Sequence, residues 1–496
     1  MSRSREQPMW HQLFQLDPKD SQSLQTQLRQ SLVNAILDRR VSIDMPLPSS
    51  RELAKQLGVA RNTVVLAYQH LVDENSRIAR ERRGYFVNPD ILEGRVDATK
   101  KIGVGIAEDD AVVDTVLDLQ SQRNLLRPAD WNHYQYPFIY GQVDSSLFPV
   151  NDWREACRLS LHVGAINEWT HDRIARDDEL LLEQIHKRVL PRRGVWADPE
   201  QILITTGAQN ALFITAQLLL DKQCTVGLED PCYPDARNIF SLFAGNQVEF
   251  PVGNHGVQTD ERLAQCRLMY VTPSHQCPTT TTMPLENRKA LLAEARKHNV
   301  MIVEDDYESE LNFVGKPTPA LKSLDESHQV IYIGSLSKTL APGLRVGFMV
   351  GPKSFIAEAR ALRRLMYRHP PSNTQRTVGH FLALGHHDAA ALRLSQAYQK
   401  RWELMNNALG QHMSLSTVAP TFGGSSYWVK LPEHVSATEL EQRAAAESVL
   451  ISAGDTYFSD PSGNRHFCRL GFSSLTEDRI EPGVERLARV IDSFGS

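Results

Sequence analysis

Val330-Ile331-Tyr332-Ile333-Gly334-Ser335-Leu336-Ser337-Lys338-Thr339, followed by Pro342-Gly343-Leu344-Arg345-Val346-Gly347, is the stretch on which the fold turns. A short apolar run reads as a buried strand, and it ends in small hydroxyls, a lysine and an arginine. That set suits a phosphorylated aldehyde: the Lys338 amine condenses to an imine, while Ser335, Ser337 and Arg345 hold the phosphate. A carboxylate from an earlier strand, Asp305 in Val303-Glu304-Asp305-Asp306-Tyr307, completes such a site. A pyridine ring needs an acid on its nitrogen to act as an electron sink. Alone, the acidic word reads as a solvated strand end, and Lys338 with its neighbours changes that reading. The spacing of 33 from Asp305 to Lys338 leaves room for one helix and one strand, which would set the two strand ends side by side.

Working outward, apolar runs recur at Ile202-Leu203-Ile204, Thr225-Val226-Gly227-Leu228, Val248-Glu249-Phe250, Leu268-Met269-Tyr270-Val271, Val300-Met301-Ile302-Val303 and Val346-Gly347-Phe348-Met349-Val350. Helical patterns fall between them, as from Gln209 to Leu220 and from Leu285 to His298. Such alternation predicts an α/β domain with a mainly parallel sheet, whose ligands bind beyond the carboxyl ends of the strands. Thr206-Gly207-Ala208-Gln209-Asn210 closes the first run and opens a helix, a favourable place for an anion.

The first 88 residues read differently. A helical spacing covers Ser23 to Arg40, and Leu47-Pro48-Ser49-Ser50-Arg51-Glu52 opens a second helix with Ser49 and Glu52 as a capping box. Gly58 stops it, and a third helix runs from about Arg61 to Glu74. Two helices joined by Gly58-Val59-Ala60 make a helix-turn-helix, which presents Arg61, Asn62 and Thr63 to the major groove. Ile78 to Val87 reads as a hairpin wing with a basic tip at Arg82 and Arg83. A small surface helical domain with solvated arginines is the plainer alternative. Residues 1–88 hold 13 Lys and Arg against 9 Asp and Glu, leaving 41 against 50 in the remainder. A basic head thus precedes an acidic body. Residues 89–125 read as a partly ordered linker with a short helix from Asp110 to Asp118, and 126–496 as the large domain.

At 496 residues, with 41% hydrophobic and 23% charged residues, the chain is sized for several globular domains. There is no apolar run of membrane-spanning length, and the N-terminus lacks an apolar signal core. Six cysteines without a CxxC pair fit reduced thiols in the cytoplasm and not a zinc site or disulfide frame. His386-His387-Asp388 reads as a solvated turn, not a metal site. Arg360, Arg363, Arg364 and Arg368 read as a solvated or dimer-facing helix surface. Ser425-Ser426 after Gly423-Gly424 is a candidate lining for the ligand pocket.

Two resemblances sharpen these readings. Leu47 to Ala54, Gly58 to Val64 and Gly84-Tyr85-Phe86-Val87 resemble the winged helix-turn-helix of the GntR family of bacterial regulators. That resemblance implies DNA contacts at Arg51, Arg61, Thr63 and Gly84, beside Asn62 and Arg83 from the pattern above. Ser335-x-Ser337-Lys338 with Arg345 resembles fold-type I pyridoxal-phosphate enzymes, the class I/II aminotransferases. It implies pyridoxal phosphate as cofactor, with Lys338 forming the internal aldimine. Gly207, Ala208, Gln209, Ser335, Ser337 and Arg345 would lie at the phosphate, Asp305 at the ring nitrogen and Tyr307 at the ring hydroxyl. Tyr233 would stack on the ring, and Arg469 in Cys468-Arg469-Leu470-Gly471 would clamp an effector's carboxylate.

Head and body together resemble the MocR/GabR subfamily, through Tyr140-Gly141-Gln142-Val143-Asp144 and Thr272-Pro273-Ser274-His275-Gln276-Cys277-Pro278. Two words depart from the pattern: Glu168 to Asp178 lacks a Tyr-Gly-Asp-Pro stretch, and Gln276-Cys277-Pro278-Thr279-Thr280 replaces the Asn-Pro-Thr-Gly of aminotransferases. The resemblance implies a regulator in which an amine or amino acid forms an external aldimine, of the taurine, ectoine-derived diaminobutyrate or γ-aminobutyrate type. Its partners would be operator DNA, a second copy in a head-to-tail homodimer, and RNA polymerase. A working aminotransferase with an accessory DNA-binding module, and a repressor that has lost its cofactor, are the alternatives.

Overall fold

The computed structural model describes residues 10–38, 40–41, 46–73, 77–80, 84–88, 117–125, 127–308, 310–311, 318–413, 417–418 and 423–495. The chain divides into two compact units, Met1–Thr115 and Val116–Ser496.

In the first unit, α1 (Leu24–Leu37), α2 (Ser50–Leu57) and α3 (Arg61–Asp73) precede a hairpin of β1 (Arg77–Arg80) and β2 (Gly84–Val87). Each helix starts and stops where its ends are satisfied. Ser23 accepts the Thr26 amide and Ser49 accepts the Glu52 amide at 3.2 Å. Only this half of the expected capping box forms, since Glu52 makes no return bond among the described residues. Gly58, at φ +66°, ends α2 in the left-handed conformation that a Cβ disfavours. Leu28, Leu32, Leu53, Val64, Tyr68 and Leu71 are fully buried between the helices. Each contributes roughly 1.5–3 kcal/mol by leaving water. The hairpin is tied in by Leu47, whose amide donates to the Tyr85 carbonyl at 2.7 Å. Arg82, Arg83 and most of the expected helix at Asp110–Asp118 lie outside the described residues.

The second unit is built on β3 (Ile202–Thr205), β4 (Thr225–Asp230), β5 (Asn246–Gly253), β6 (Gly256–Val257), β7 (Leu268–Val271), β8 (Met301–Asp306), β9 (Val330–Ser335) and β10 (Gly347–Val350). They form one sheet in the order β3-β10-β9-β8-β7-β4-β5-β6. The run from β9 to β5 is parallel, while β10 lies antiparallel to both of its neighbours. Both faces are covered, which is why the strands read as unbroken apolar runs. Ile331 and Ile333 pack on one side with α4 (Ala208–Leu219), α5 (Pro234–Phe243) and α7 (Lys353–Tyr367). Val330 packs on the other with α6 (Leu285–His298). A smaller antiparallel sheet, β11 (Thr417–Val418), β12 (Ser426–Lys430), β13 (Ser452–Ala453) and β14 (Phe467–Gly471), packs with the C-terminal helix Glu477–Asp492.

Three expectations need correction. Between β8 and β9 the described residues hold a 3-10 turn, Leu321–Leu324, where an α-helix was expected. The strand ends are adjacent all the same, because Ile333 pairs in parallel register with Asp305. His386-His387-Asp388 is the first turn of a long helix, His386–His412, and not a solvated turn. His387 is buried there, 3.1 Å from the Thr339 hydroxyl and 3.4 Å from Glu310. Arg363 of α7 is not a surface residue: it is fully buried and paired at 2.5 Å with Asp177, which Arg360 also holds. Its helix offered no clue because the partner comes from a distant, irregular segment.

Candidate functional site

The carboxyl ends of β3, β7, β8 and β9 open into a cavity of about 410 Å³. Parallel pairing of β8 with β9 brings the acid and the lysine into it from neighbouring strands. All the residues expected at a cofactor line this cavity except Gly207, which lies just behind it.

Lys338 projects three residues beyond β9. Burial pushes its amine down to about 8; Glu308 opposes the shift, while Arg469 and Arg127 add to it. An amine so placed is unprotonated in an appreciable fraction near neutrality, which is what a nucleophilic lysine requires. Asp305 is buried and accepts the Tyr270 hydroxyl at 3.1 Å on Oδ2, leaving Oδ1 without a partner. Burial raises its carboxyl to about 7. A cation against Oδ1 would return it to the charged form. The hydroxyls of Tyr307 and Ser337 are likewise buried and unpaired.

At the opposite wall, Gly207 sits at φ +90° and α4 starts at Ala208. The Arg345 guanidinium lies against it, donating to the Thr206 carbonyl at 3.1 Å. A Cβ at Gly207 would stand 2.9 Å from Arg345 Nη2 and would be strained at this φ, so glycine suits the close approach of the arginine to the helix start. The start of α4, Ser335, Ser337 and Arg345 thus line one part of the cavity with hydrogen-bond donors, a set chemically suited to an anion. Tyr233 precedes α5 and donates to Asp235 at 2.7 Å; Gln209 donates to the same carboxylate. This bond turns the Gln209 amide toward Asp235, a partner the sequence reading missed.

Arg469, expected to clamp an effector, does not itself line the cavity: it is fully buried on β14, against the lining residues Tyr140 and Cys277. Its Nε donates to Ser426 at 2.9 Å and its Nη1 to Cys277 at 3.4 Å, while Nη2 has no partner. It pairs with no carboxylate among the described residues, and stands 3.5 Å from the centre of the Tyr140 ring. Lys338 Nζ stands 3.9 Å from the same centre. The Ser425-Ser426 pair, a candidate lining in the sequence, does not line the cavity: both are buried, Ser425 donating to Glu308 at 2.6 Å and Ser426 accepting from Arg469. Tyr140 and Cys277 occur in words singled out in the sequence. Glu308 directly follows the acidic word and carried no signal beyond that place.

In the first unit, Arg51 and the α3 residues Arg61 and Asn62 are exposed, and Thr63 is half-buried. Gly84 opens β2 opposite Arg80, at the tip of the wing. Arg83 lies outside the described residues.

Against known proteins, residues 143–487 match the family of aminotransferases of class I and II. Residues 24–87 match the bacterial regulatory proteins of the gntR family. The chain is 40% identical over 485 residues to the HTH-type transcriptional regulator TauR of Rhodobacter capsulatus, covering 96% of this chain and 98% of that protein. It is 29% identical to a probable rhizopine catabolism regulatory protein, MocR, of Rhizobium meliloti, covering 80% of each. Among solved structures it resembles the α-aminoadipate aminotransferase LysN of Thermus thermophilus in complex with N-(5'-phosphopyridoxyl)-L-leucine. The TM-score is 0.66 and the identity 31%, over 72% of this chain and 92% of that one.

Proposed function

Since the chain belongs to the HTH-type transcriptional regulators that join a GntR head to a class I and II aminotransferase body, we propose that the body holds pyridoxal phosphate and senses a small amine or amino acid. The observation that carries this reading is the set of buried, unpartnered polar atoms around Lys338: Asp305 Oδ1, Tyr307 OH and Ser337 Oγ. Buried polar groups are costly to leave unpaired, and these lie where a phosphorylated pyridine would meet them.

Asp305 would accept a hydrogen bond from the protonated ring nitrogen and so keep the proton there, Tyr307 would donate toward the ring hydroxyl, and Tyr233 would cover a ring face. Ser335, Ser337, Arg345 and the start of α4 would take the phosphate. When bound, this cofactor supplies an aldehyde carbon that exchanges one amine for another. Lys338 is suited to that exchange by its lowered basicity. Arg469, a buried guanidinium awaiting an anion, would clamp the incoming acid bidentately. Without a bond to the cofactor, the Lys338 amine would rest where it stands here, over the Tyr140 ring. The effector then shifts the protein between two arrangements to the extent that it binds one more tightly than the other.

The head, with Arg51, Arg61, Asn62, Thr63, Arg83 and Gly84 as its DNA-contacting set, would read the operator in the cytoplasm. A head-to-tail homodimer would engage repeated half-sites, with RNA polymerase as a further partner. Taurine, diaminobutyrate derivatives and γ-aminobutyrate are the first effectors to try. The test is to record the visible spectrum of the purified protein with each amine and a 2-oxo acid, and then repeat an operator shift with every amine that acts. A lasting spectral change with altered DNA binding supports the sensor; sustained product formation overturns it in favour of an aminotransferase.

A further inference from the structure

We propose that Arg127 closes on the acidic group of the effector from the solvent side of the cavity, so that the ligand is a short primary amine bearing a carboxylate or sulfonate. This rests on the reading that an amine is captured at Lys338. Arg127 is half-buried and lines the cavity, although its stretch of sequence shows neither helical nor strand periodicity. Its guanidinium and the Lys338 amine crowd the same point. A Cβ built on Gly141 would meet Arg127 Nη2 at 3.1 Å and Lys338 Nζ at 3.3 Å. Gly141, at φ +82°, therefore leaves the space in which both cations face the ligand.

Among the described residues Arg127 has no hydrogen-bond or carboxylate partner. An unpaired guanidinium inside a cavity is a site for an anion, and its planar fork suits carboxylate and sulfonate oxygens. Arg469 stacks on Tyr140 and Arg127 lies over Gly141, so consecutive residues separate the two guanidinium groups. An acid has lone pairs enough to accept from both. An amine without an acid satisfies neither.

Arg127 also ends a strap. Arg123, four residues earlier, donates to the carbonyls of Phe458 at 3.1 Å and Ser459 at 2.9 Å. Asn238 donates to the Arg123 carbonyl at 3.0 Å and to Asn124 at 2.9 Å. Asp230, at the end of β4, holds Ser459 in turn. Along the chain this strap is the segment that leads back toward the head. An acid paired with Arg127 adds its attraction to the polypeptide that joins ligand site and DNA reader.

The test uses full-length protein loaded with pyridoxal phosphate, as wild type, Arg127→Ala and Arg127→Lys. Each is titrated with taurine, β-alanine, γ-aminobutyrate and propylamine, and binding is read from the visible spectrum. The expected result is that Arg127→Ala weakens the acid-bearing amines about tenfold or more, leaves propylamine within about twofold, and is partly rescued by Arg127→Lys. An equal loss for propylamine, or no loss for the acids, overturns the role of Arg127. A wild-type spectrum that no amine moves is a separate outcome, which overturns the amine-sensing reading and the inference with it. The unaltered cofactor band of each variant reports that the body is folded.

Discussion

Among the described residues, the second unit buries arginines and the first does not. In the head, Arg51 and Arg61 stand exposed at helix starts, where we propose they meet the DNA backbone or bases. In the body, Arg288, Arg363 and Arg469 are fully buried. Arg363 is matched by Asp177, and Arg288 by three backbone carbonyls and a more distant Glu304. Arg469 alone of these three lacks a carboxylate or carbonyl partner. A surface cation costs nothing while it waits, whereas a buried one without an anion is held only by the surrounding fold. The contrast separates buried arginines that are matched within the body from the buried one that we propose is left for a ligand's acid.

The comparison breaks first at Lys338. Lys338→Ala should abolish the visible cofactor band and leave operator binding by the head measurable in a shift assay; a retained band would mean that another amine carries the cofactor. Next, Arg363→Ala leaves Asp177 to Arg360 alone and should destabilise the body by about 3 kcal/mol in denaturant melts, the lower end for breaking a buried pair. The head, with its own core, should keep its transition. An Arg363→Ala body as stable as wild type would mean that the buried pair is dispensable.

Smaller effects sharpen the head. Arg61→Ala should weaken operator binding by about 1–3 kcal/mol with the melting curve unchanged. Ser49→Ala removes the cap of α2 and should cost the head about 1 kcal/mol.

A pH series addresses the cavity itself. Burial lowers Lys338 from its usual range to about 8, so the neutral amine gains population as pH rises to that value. Cofactor loading of the stripped protein should therefore accelerate up to about pH 8 and then level off. Because the folded form favours the neutral lysine, its penalty on folding is full below that value and is relieved as pH rises from it toward the unfolded range. A loading rate still climbing well above pH 9 would mean that the amine is not perturbed.

The sequence disclosed what is contiguous or periodic. Ser335-x-Ser337-Lys338 and Arg345 form a single word after one strand, and parallel strand order follows from apolar alternation, so Asp305 could be placed beside Lys338. The head was legible for the same reason, since its cap, glycine stop and wing are local signals. What stayed hidden depends on partners far along the chain. His387 looked like part of a solvated turn because neither Thr339 nor Glu310 lies near it in sequence. Arg363 looked solvated because Asp177 belongs to an irregular stretch. Arg127 was missed because a strap fixed by carbonyls at 458 and 459 has no periodicity to read.

The most direct measurement is to reduce the purified full-length protein with borohydride and map the modified peptide by mass. The account expects a pyridoxyl group on Lys338, and its transfer from the peptide to the small molecule when a saturating effector is added before reduction. A label on a different lysine, or none on protein supplied with pyridoxal phosphate, would contradict it.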